Sequence, residues 1–473
     1  MSTDSTYEES DETSIKSVES TNSDTSKTIE TISESIFDTW REDDVNDLTN
    51  NIYQLLEEYH ETNIQATSSP KFYTDMLEHI SQIILQDLLA GSLCEQDDYD
   101  EIYEYVENTM EVWFDFAPYV RRSISYGSSI TERHDSNNSF EDLTQIIEAL
   151  QAIEQPKQKS KEWYEMRHSM ISASNLWKAL GTESTQNSLI YEKCIPAVQS
   201  NYSVNTDSPL HWGNKYEQVT VMVYQVMFNT QVGEFGCIRH PDYDFIGASP
   251  DGINIDPENQ LYGRMLEIKN VVNRDITGIP KEEYWVQTQM QMEVCRLPGC
   301  DFVETRFLEY TSANAFHDDM EHEYKGVILC FIERTGIDQL AKQAGPTYIY
   351  LPLDAPISPE DIDEWTAQQK TAQKEKGLVL LETQYWYLAE FSCVYIPRNK
   401  QWFSAVIPKI EQIWKTILKE RVEGYEHRAP KKKSVKSLVQ VSNDGSSSTY
   451  LVKNMPITNS VCLIKLDAEG NVC

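Results

Sequence analysis

The chain has 473 residues, 40% hydrophobic and 25% charged, enough for two or three domains with substantial cores. It has no run of about 18 apolar residues and no basic-then-apolar start, which argues against a membrane-spanning helix and a standard secretion signal. Of the formal net charge of −36, most lies early: residues 1–150 hold 34 Asp and Glu against 7 Lys and Arg, leaving 42 against 33 for residues 151–473. Whole-chain acidity therefore does not exclude a local basic groove for nucleic acid.

Residues 1–35 are mostly Ser, Thr, Asp and Glu. So few apolar side chains cannot offset the entropy of ordering, and the segment reads as a disordered acidic tail. Helical spacing then predicts a small acidic helical domain over residues 36–122. Its stripes are Ile52, Leu55, Leu56 and Tyr59, then Met76, Ile80, Ile84 and Leu88, then a third helix over Tyr99–Phe114 with Ile102, Val106, Met110 and Trp113. An interaction module, an autoinhibitory cap and a packing appendage all fit this domain. Residues 123–158 read as a linker, polar over Ser123–Ser139, with a helix near Phe140–Ile153 and a basic end at Lys157–Lys161.

A second domain is predicted over residues 159–425. Near its start, Ser172 or Ser174 would cap a helix ending near Leu180-Gly181. A helix start also offers free N–H groups to a phosphate, and Arg167 is near enough in sequence to join them. Residues 208–228 predict a longer helix, capped by Ser208 with Pro209 first and with Tyr216, Val219, Val223, Val226 and Met227 as its buried stripe. Glu217 falls at the border of that stripe, either an ordinary exposed carboxylate or one projecting into a cleft. Strands follow at about Val232–Ile238 and Phe245–Ala248.

The stretch Ala248–Lys269 predicts a hairpin. Ser249-Pro250-Asp251-Gly252 opens the first strand, Asp256-Pro257-Glu258-Asn259-Gln260 is turn chemistry, and Arg264–Val271 is the second strand. Asp251 and Glu267 are equidistant from Asn259, so antiparallel pairing sets them nearly opposite. Alternation puts Glu267 and Lys269 on one face and Leu266 and Ile268 on the other. Two carboxylates then meet one ammonium, a donor set suited to a hard divalent ion such as Mg²⁺ or Mn²⁺. A plain turn followed by a solvated strand face is the competing reading.

Beyond the hairpin, Pro280–Arg296 is helical, with Tyr284, Gln287 and Gln291 on one side. Strands are predicted at Val303–Tyr310, Tyr324–Glu333, Thr347–Leu351 and Tyr385–Ile396, and helices near Pro359–Lys376 and Lys400–Glu423. Interleaved strands and helices indicate an α/β class with a mixed β-sheet flanked by helices. Residues 426–447, including Arg428-Ala429-Pro430-Lys431-Lys432-Lys433, read as a basic and polar linker that contacts phosphates, serves as a nuclear address or is simply solvated. Residues 448–473 read as a C-terminal tail able to form a strand pair. The nine cysteines lack any CxxC pair, Cys295 and Cys300 being nearest, which points to reduced thiols in an intracellular, reducing compartment.

Five motifs occur in one order: Trp163-x-x-x-Arg167 with Ile171-Ser172-Ala173-Ser174, Trp212-Gly213-x-x-Tyr216-Glu217, Ser249-Pro250-Asp251-Gly252, Glu267-Ile268-Lys269, and Tyr284-x-x-Gln287-x-Gln289. This order resembles the YqaJ-type viral recombinase family, the group of phage lambda exonuclease and relatives in large DNA viruses, within the PD-(D/E)xK nuclease superfamily. The likeness covers roughly Ser160–Tyr310. It implies a PD-(D/E)xK restriction-endonuclease-like core. It also implies a metal-dependent DNA exonuclease that hydrolyses phosphodiester bonds of linear duplex DNA from 5′ ends, in viral DNA recombination and repair. On this resemblance Asp251, Glu267 and the carbonyl of Ile268 would bind the catalytic metal, one or two Mg²⁺ or Mn²⁺, and Glu217 would help hold a second ion or its water. Lys269 would activate the attacking water or stabilise phosphoryl charge, and Gln287 would support the cluster. Arg167, Ser174 and Ser172 would grip a terminal 5′-phosphate. Asp242 or Asp244 would match an aspartate that several members carry ahead of the Ser-Pro-Asp-Gly turn. A homotrimer and a single-strand annealing recombinase partner are implied by the same likeness.

The requirements of the reaction agree with those residue types. Phosphodiester hydrolysis needs charge compensation, a usable nucleophile and help for the leaving oxygen, all of which a metal ion supplies. A lysine beside a divalent cation has its ammonium form disfavoured. Lys157–Lys161 and Arg167 would guide the DNA backbone, while Trp163 and Trp212 either stack on bases or pack in the core. No GxSxG elbow, HExxH helix or phosphate-cradling glycine loop is present. His317–His322 carries metal-capable side chains in an apparent loop. The competing functions are a catalytically silent nuclease-like module that binds DNA or a recombinase, and an endonuclease.

Overall fold

The computed structural model describes residues 35–125, 139–156, 160–196, 206, 208–333 and 345–430. The readings of the acidic tail at residues 1–34, of the polar run at 126–138, of residues 157–159 in the basic segment, and of residues 431–473 lie outside them. The described residues up to Arg428 form one compact unit.

Three helices, α1 (Glu42–Thr62), α2 (Phe72–Ala90) and α3 (Tyr99–Phe116), come first. Each is marginal alone. Their apolar stripes close on one another in a separate core that includes Ile52, Leu56, Met76, Ile84, Ile102 and Val106. Burial of each such side chain contributes about 1.5–3 kcal/mol. The bundle is tied to the rest through Arg122, which is only 2% exposed. Its guanidinium donates to the carbonyls of Ser68 and Pro280, and its own carbonyl accepts the Trp285 Nε1 proton at 2.7 Å.

The described ends of the stretch expected to be a linker, residues 123–125 and 139–156, are part of the fold. Strand β1 (Ile124–Ser125) pairs with the strand at Val394–Tyr395, and Leu143, Ile147 and Leu150 of helix α4 (Phe140–Ala152) are buried in the main core. Then follow α5 (Lys161–His168), β2 (Ile171–Ser172), α6 (Ala173–Leu180) and α7 (Glu183–Cys194). Helix α8 (Pro209–Phe228) starts as expected, with the Ser208 side chain accepting from His211 N. Its stripe is shifted, because Val226 is 55% exposed and Thr220 and Tyr224 are buried instead.

The run Val232–Ile238 is two strands in different sheets, β3 (Val232–Gly233) and β4 (Ile238–Arg239). After β5 (Ile246–Ala248) come the hairpin strands β6 (Gly252–Asn254) and β7 (Met265–Asn270), then α9 (Glu282–Cys295) and β8 (Gly299–Glu309). Helix α10 (Ala313–Asp318) replaces part of the expected loop, followed by β9 (Lys325–Glu333), β10 (Thr347–Tyr350), α11 (Pro359–Glu375), β11 (Leu378–Pro397) and α12 (Lys400–Glu423). Strand β11 is longer than Tyr385–Ile396. Its first half pairs with β9 and its second with β8, with register shifts at Leu380/Glu382 and Leu388/Glu390. Those bulges break the alternation that would have revealed its start.

The main sheet runs β10-β9-β11-β8-β7-β6-β3, with β1 added on β11. Only the β7–β8 pair is parallel among its described pairs. Helices α4, α6, α7, α9 and α12 contribute to its largest core. This is the mixed sheet flanked by helices expected of the α/β class, with an acidic helical unit ahead of it. Among the described residues no helix is long and apolar enough to cross a membrane, and all seven described cysteines are free thiols.

Candidate active site

The β6–β7 hairpin builds the site. Gly252 pairs with Leu266 and Ile253 with Met265, so Asp251 stands across from Glu267. Gly252 is required by proximity: an added Cβ would meet Val232 Cγ1 of β3 at 2.3 Å. Asp251 N donates to Leu266 O at 3.2 Å, and Asp251 Oδ2 accepts from Ile268 N at 2.7 Å. A strand residue's N–H and C=O point to the same edge, so the Ile268 carbonyl faces the Asp251 side. Leu266 and Ile268 pack behind, against Tyr224, Leu261 and Val303.

Glu267, 1% exposed, is fixed from three directions. Lys269 Nζ donates to its Oε1, as does Gln287 Nε2 at 2.7 Å, while Gln291 Nε2 donates to its Oε2 at 2.6 Å. Both glutamines come from α9, one turn apart. Glu217 enters from α8. Ser174, Glu217, Asp251, Glu267, Lys269 and Gln287 all line one cleft of ≈ 680 Å³. Tyr284 and Arg274 border it, with Lys269 Nζ 5.0 Å from the Tyr284 ring centroid.

Charge crowding decides the protonation states. Burial, followed by the nearby carboxylates of Glu267 and Glu217, pushes the Asp251 carboxyl well above its ordinary range. Burial alone would lower the Lys269 ammonium, but Glu267 and Asp251 together outweigh it and hold it above its usual range. A base-like lysine is therefore not what these residues create by themselves. Carboxylates this close relieve their repulsion either by sharing a proton or by taking a cation between them.

Among the described residues no three His, Cys, Asp or Glu side chains are gathered as a metal-holding group. Glu217 thus lines the cleft without closing a cage around Asp251 and Glu267. Two carboxylates and a main-chain carbonyl still fit Mg²⁺, which commonly takes one or two carboxylates, keeps several waters and leaves positions for phosphate oxygens.

The candidate phosphate grip is a short chain of contacts. Arg167 Nη2 donates to Ser172 Oγ at 3.3 Å, and Ser172 Oγ lies 3.2 Å from Ser174 Oγ. Ser172 precedes α6 but makes no side-chain cap; its hydroxyl is engaged by Arg167 and Ser174 instead. Only exposed Ser174 reaches the cleft lining, while buried Ser172 stands behind it. Lys193 Nζ donates to the Arg167 carbonyl at 2.8 Å, and the guanidinium lies 4.6 Å from the Trp163 ring. The Trp212 ring packs tilted against Tyr216, with centroids 4.5 Å apart.

Other sequence candidates fall elsewhere. Asp242 pairs with Arg296 at 3.1 Å on the surface, and the Asp244 carbonyl accepts from Arg239; neither lines the cleft. In the His317–His322 run, Asp319 takes Tyr310 OH and His322 Nδ1, a closed hydrogen-bond cluster. Cys295 and Cys300 are buried thiols. A second cavity of ≈ 780 Å³ around Trp212, Lys215 and Tyr348 shares Pro209, Val272 and Asn273 with the cleft, but its Lys215–Glu309 pair is closed on itself. Sequence reasoning had set Gln291 beside Gln287 without a role; its contact with Glu267 depends on helix-to-sheet distance, which spacing does not carry. Tyr284 and Arg274 were likewise not assigned to the site.

Residues 162–298 match the model of the YqaJ-like viral recombinase domain. An uncharacterized protein of Acanthamoeba polyphaga mimivirus is 27% identical over 366 residues, covering 69% of this chain and 64% of that relative, so the chain spans less than two thirds of its length. Among solved structures, an alkaline exonuclease (LHK-Exo) from Laribacter hongkongensis is 20% identical with a TM-score of 0.32, over 57% of this chain and 95% of that one. LHK-Exo in complex with dAMP gives 17% and 0.33, over 55% and 94%. A phage-related exonuclease from Haemophilus somnus gives 16% and 0.24, over 45% and 95%.

Proposed function

We propose, from a YqaJ-like viral recombinase domain over residues 162–298, that the chain is a metal-dependent deoxyribonuclease. It hydrolyses phosphodiester bonds of linear duplex DNA as an exonuclease working from 5′ ends, in viral DNA recombination or repair. The observation that carries this reading is the convergence of Glu217, Asp251, Glu267, Lys269 and Gln287 on one cleft.

Asp251, Glu267 and the Ile268 carbonyl would hold Mg²⁺ or Mn²⁺, with Glu217 toward a second ion or its water shell. When bound, the ion supplies a nucleophile usable at neutral pH and charge compensation at the phosphate. Lys269 Nζ, which donates to Glu267 Oε1, either activates the attacking water or contributes positive charge beside the phosphoryl oxygens. Gln287 and Gln291 hold the Glu267 carboxylate in one orientation, so little reorganisation is needed during reaction. Ser174, with Arg167 and Ser172 behind it, receives the terminal 5′-phosphate. A trimeric assembly and a single-strand annealing recombinase partner belong to the same proposal.

Mg²⁺-dependent digestion of end-labelled linear duplex, compared with Lys269→Ala, tests it. Fragment release by wild type and at least a tenfold loss in the variant, the scale of a lost charge contact, is expected. Equal digestion by both removes Lys269 from the chemistry. Nicking of closed circular DNA would make it an endonuclease. One observation favours the silent binding module: no closed ligand cage occurs among the described residues. DNA binding without digestion would establish that alternative.

A further inference from the structure

Asn270 ends β7, one residue after Lys269. Its Nδ2 donates to Gly213 O at 2.9 Å, and its Oδ1 accepts from Thr220 Oγ1 and Thr305 Oγ1, each at 2.7 Å. Thr305 is its register partner on β8. Gly213, Glu217 and Thr220 are spaced by four and three residues along α8, so they share one helix face. Two of the three bonds made by Asn270 therefore flank Glu217, one turn to either side.

At Gly213 itself no side chain packs, since a Cβ there would have no neighbour within 4 Å, while the same turns are seated elsewhere by Tyr216 against Phe307 and by the Lys215–Glu309 pair. Only a primary amide offers a donor to a carbonyl and an acceptor to hydroxyls in one planar group. Aspartate lacks the donor, and serine lacks the reach.

We propose that Asn270 is a positioning residue that sets Glu217 against the Asp251–Glu267 pair by stapling α8 to β7. This rests on the reading of that cleft as a divalent-cation site. Asn270 acts through Glu217 and makes no contact of its own with the reacting atoms. Tyr216 on Phe307 and the Lys215–Glu309 pair still seat the helix, so losing Asn270 releases only the Gly213–Thr220 face, and Glu217 shifts while Asp251 and Glu267 stay.

The test is a double-mutant cycle on the full chain, read by Mn²⁺ binding in electron paramagnetic resonance and by digestion of linear duplex. Asn270→Ala is expected to weaken Mn²⁺ binding about tenfold and lower kcat about tenfold with KM for DNA unchanged, the scale of one lost hydrogen bond. In a Glu217→Gln background it should do nothing further. Equal losses in both backgrounds, or intact Mn²⁺ binding by the folded variant, overturn the proposal. Should Asn270→Ala fail to fold, Thr220→Val removes one of the three Asn270 bonds, along with the weaker contacts of that hydroxyl to Tyr216 O and Thr305 Oγ1, and is read by the same two criteria. Wild type that binds Mn²⁺ without digesting DNA refutes the nuclease reading alone, because the Mn²⁺ cycle still decides the role of Asn270. Wild type that binds no Mn²⁺ overturns both.

Discussion

Replacing Gln291 by leucine separates holding the site from holding the fold. Gln291 is fully buried, with Nε2 donating to Glu267 Oε2 at 2.6 Å and to Ser249 O at 3.3 Å, while its Oε1 has no partner. Leucine removes a hydrogen bond to a charged acceptor, worth about 1.5–3 kcal/mol, yet also removes a buried orphan acceptor costing about 1–3 kcal/mol. Volume is roughly kept, so no large cavity forms. Net destabilisation should be only about 0–2 kcal/mol. Activity responds differently, because Gln291 is the donor that meets Oε2, whereas Oε1 keeps Lys269 if Gln287 is lost. The same interaction energy, at about 1.4 kcal/mol per decade, corresponds to a 10–100-fold fall in kcat. Urea melts and Mg²⁺-dependent digestion, run together on Gln291→Leu and Gln287→Leu, check both halves. A kcat within twofold of wild type, or a larger loss from Gln287→Leu, refutes the reasoning.

Three other outcomes are expected. Arg167→Ala should abolish preference for 5′-phosphorylated over hydroxyl ends, a 10–100-fold change for about 1.5–3 kcal/mol of charge-assisted binding, while digestion of hydroxyl ends is unaltered; unchanged preference in paired-substrate assays removes Arg167 from end recognition. His60 is fully buried, neither ring nitrogen has a partner, and burial lowers its pKa to about 4. Its contribution is therefore complete above the unfolded value near 6.5 and is lost as pH falls toward 4, about 2 kcal/mol between pH 7 and pH 5; His60→Leu should flatten that part of the stability profile in urea melts. Trp285→Phe leaves the buried Arg122 carbonyl without its 2.7 Å donor and should cost about 1–3 kcal/mol in the urea midpoint, no shift meaning that this tie to the helical bundle carries no energy.

Much of the site was legible because it lies on local elements. Turn chemistry at Asp256–Gln260 sets the hairpin register, and that register places Asp251 opposite Glu267 whatever surrounds it. Strand alternation puts Lys269 on the Glu267 face. Ser208 and Pro209 start α8 where capping requires. Features set by long-range geometry were hidden. The early half of β11 was obscured by its bulges. Val226 was read as buried although it faces solvent, because helical spacing gives a stripe but not which neighbour covers it.

Sequence alone thus determined the class and the hairpin that sets Asp251 opposite Glu267, since turns, caps and alternation act over a few bonds. Tertiary structure decided which carboxylates share a cleft, that Gln291 completes the hold on Glu267, that Asn270 joins α8 to β7, and that Arg122 ties the acidic bundle to α9. Those are distances between elements far apart in the chain. They follow from how the helices seat on the sheet, a sum of many contacts that no local pattern encodes.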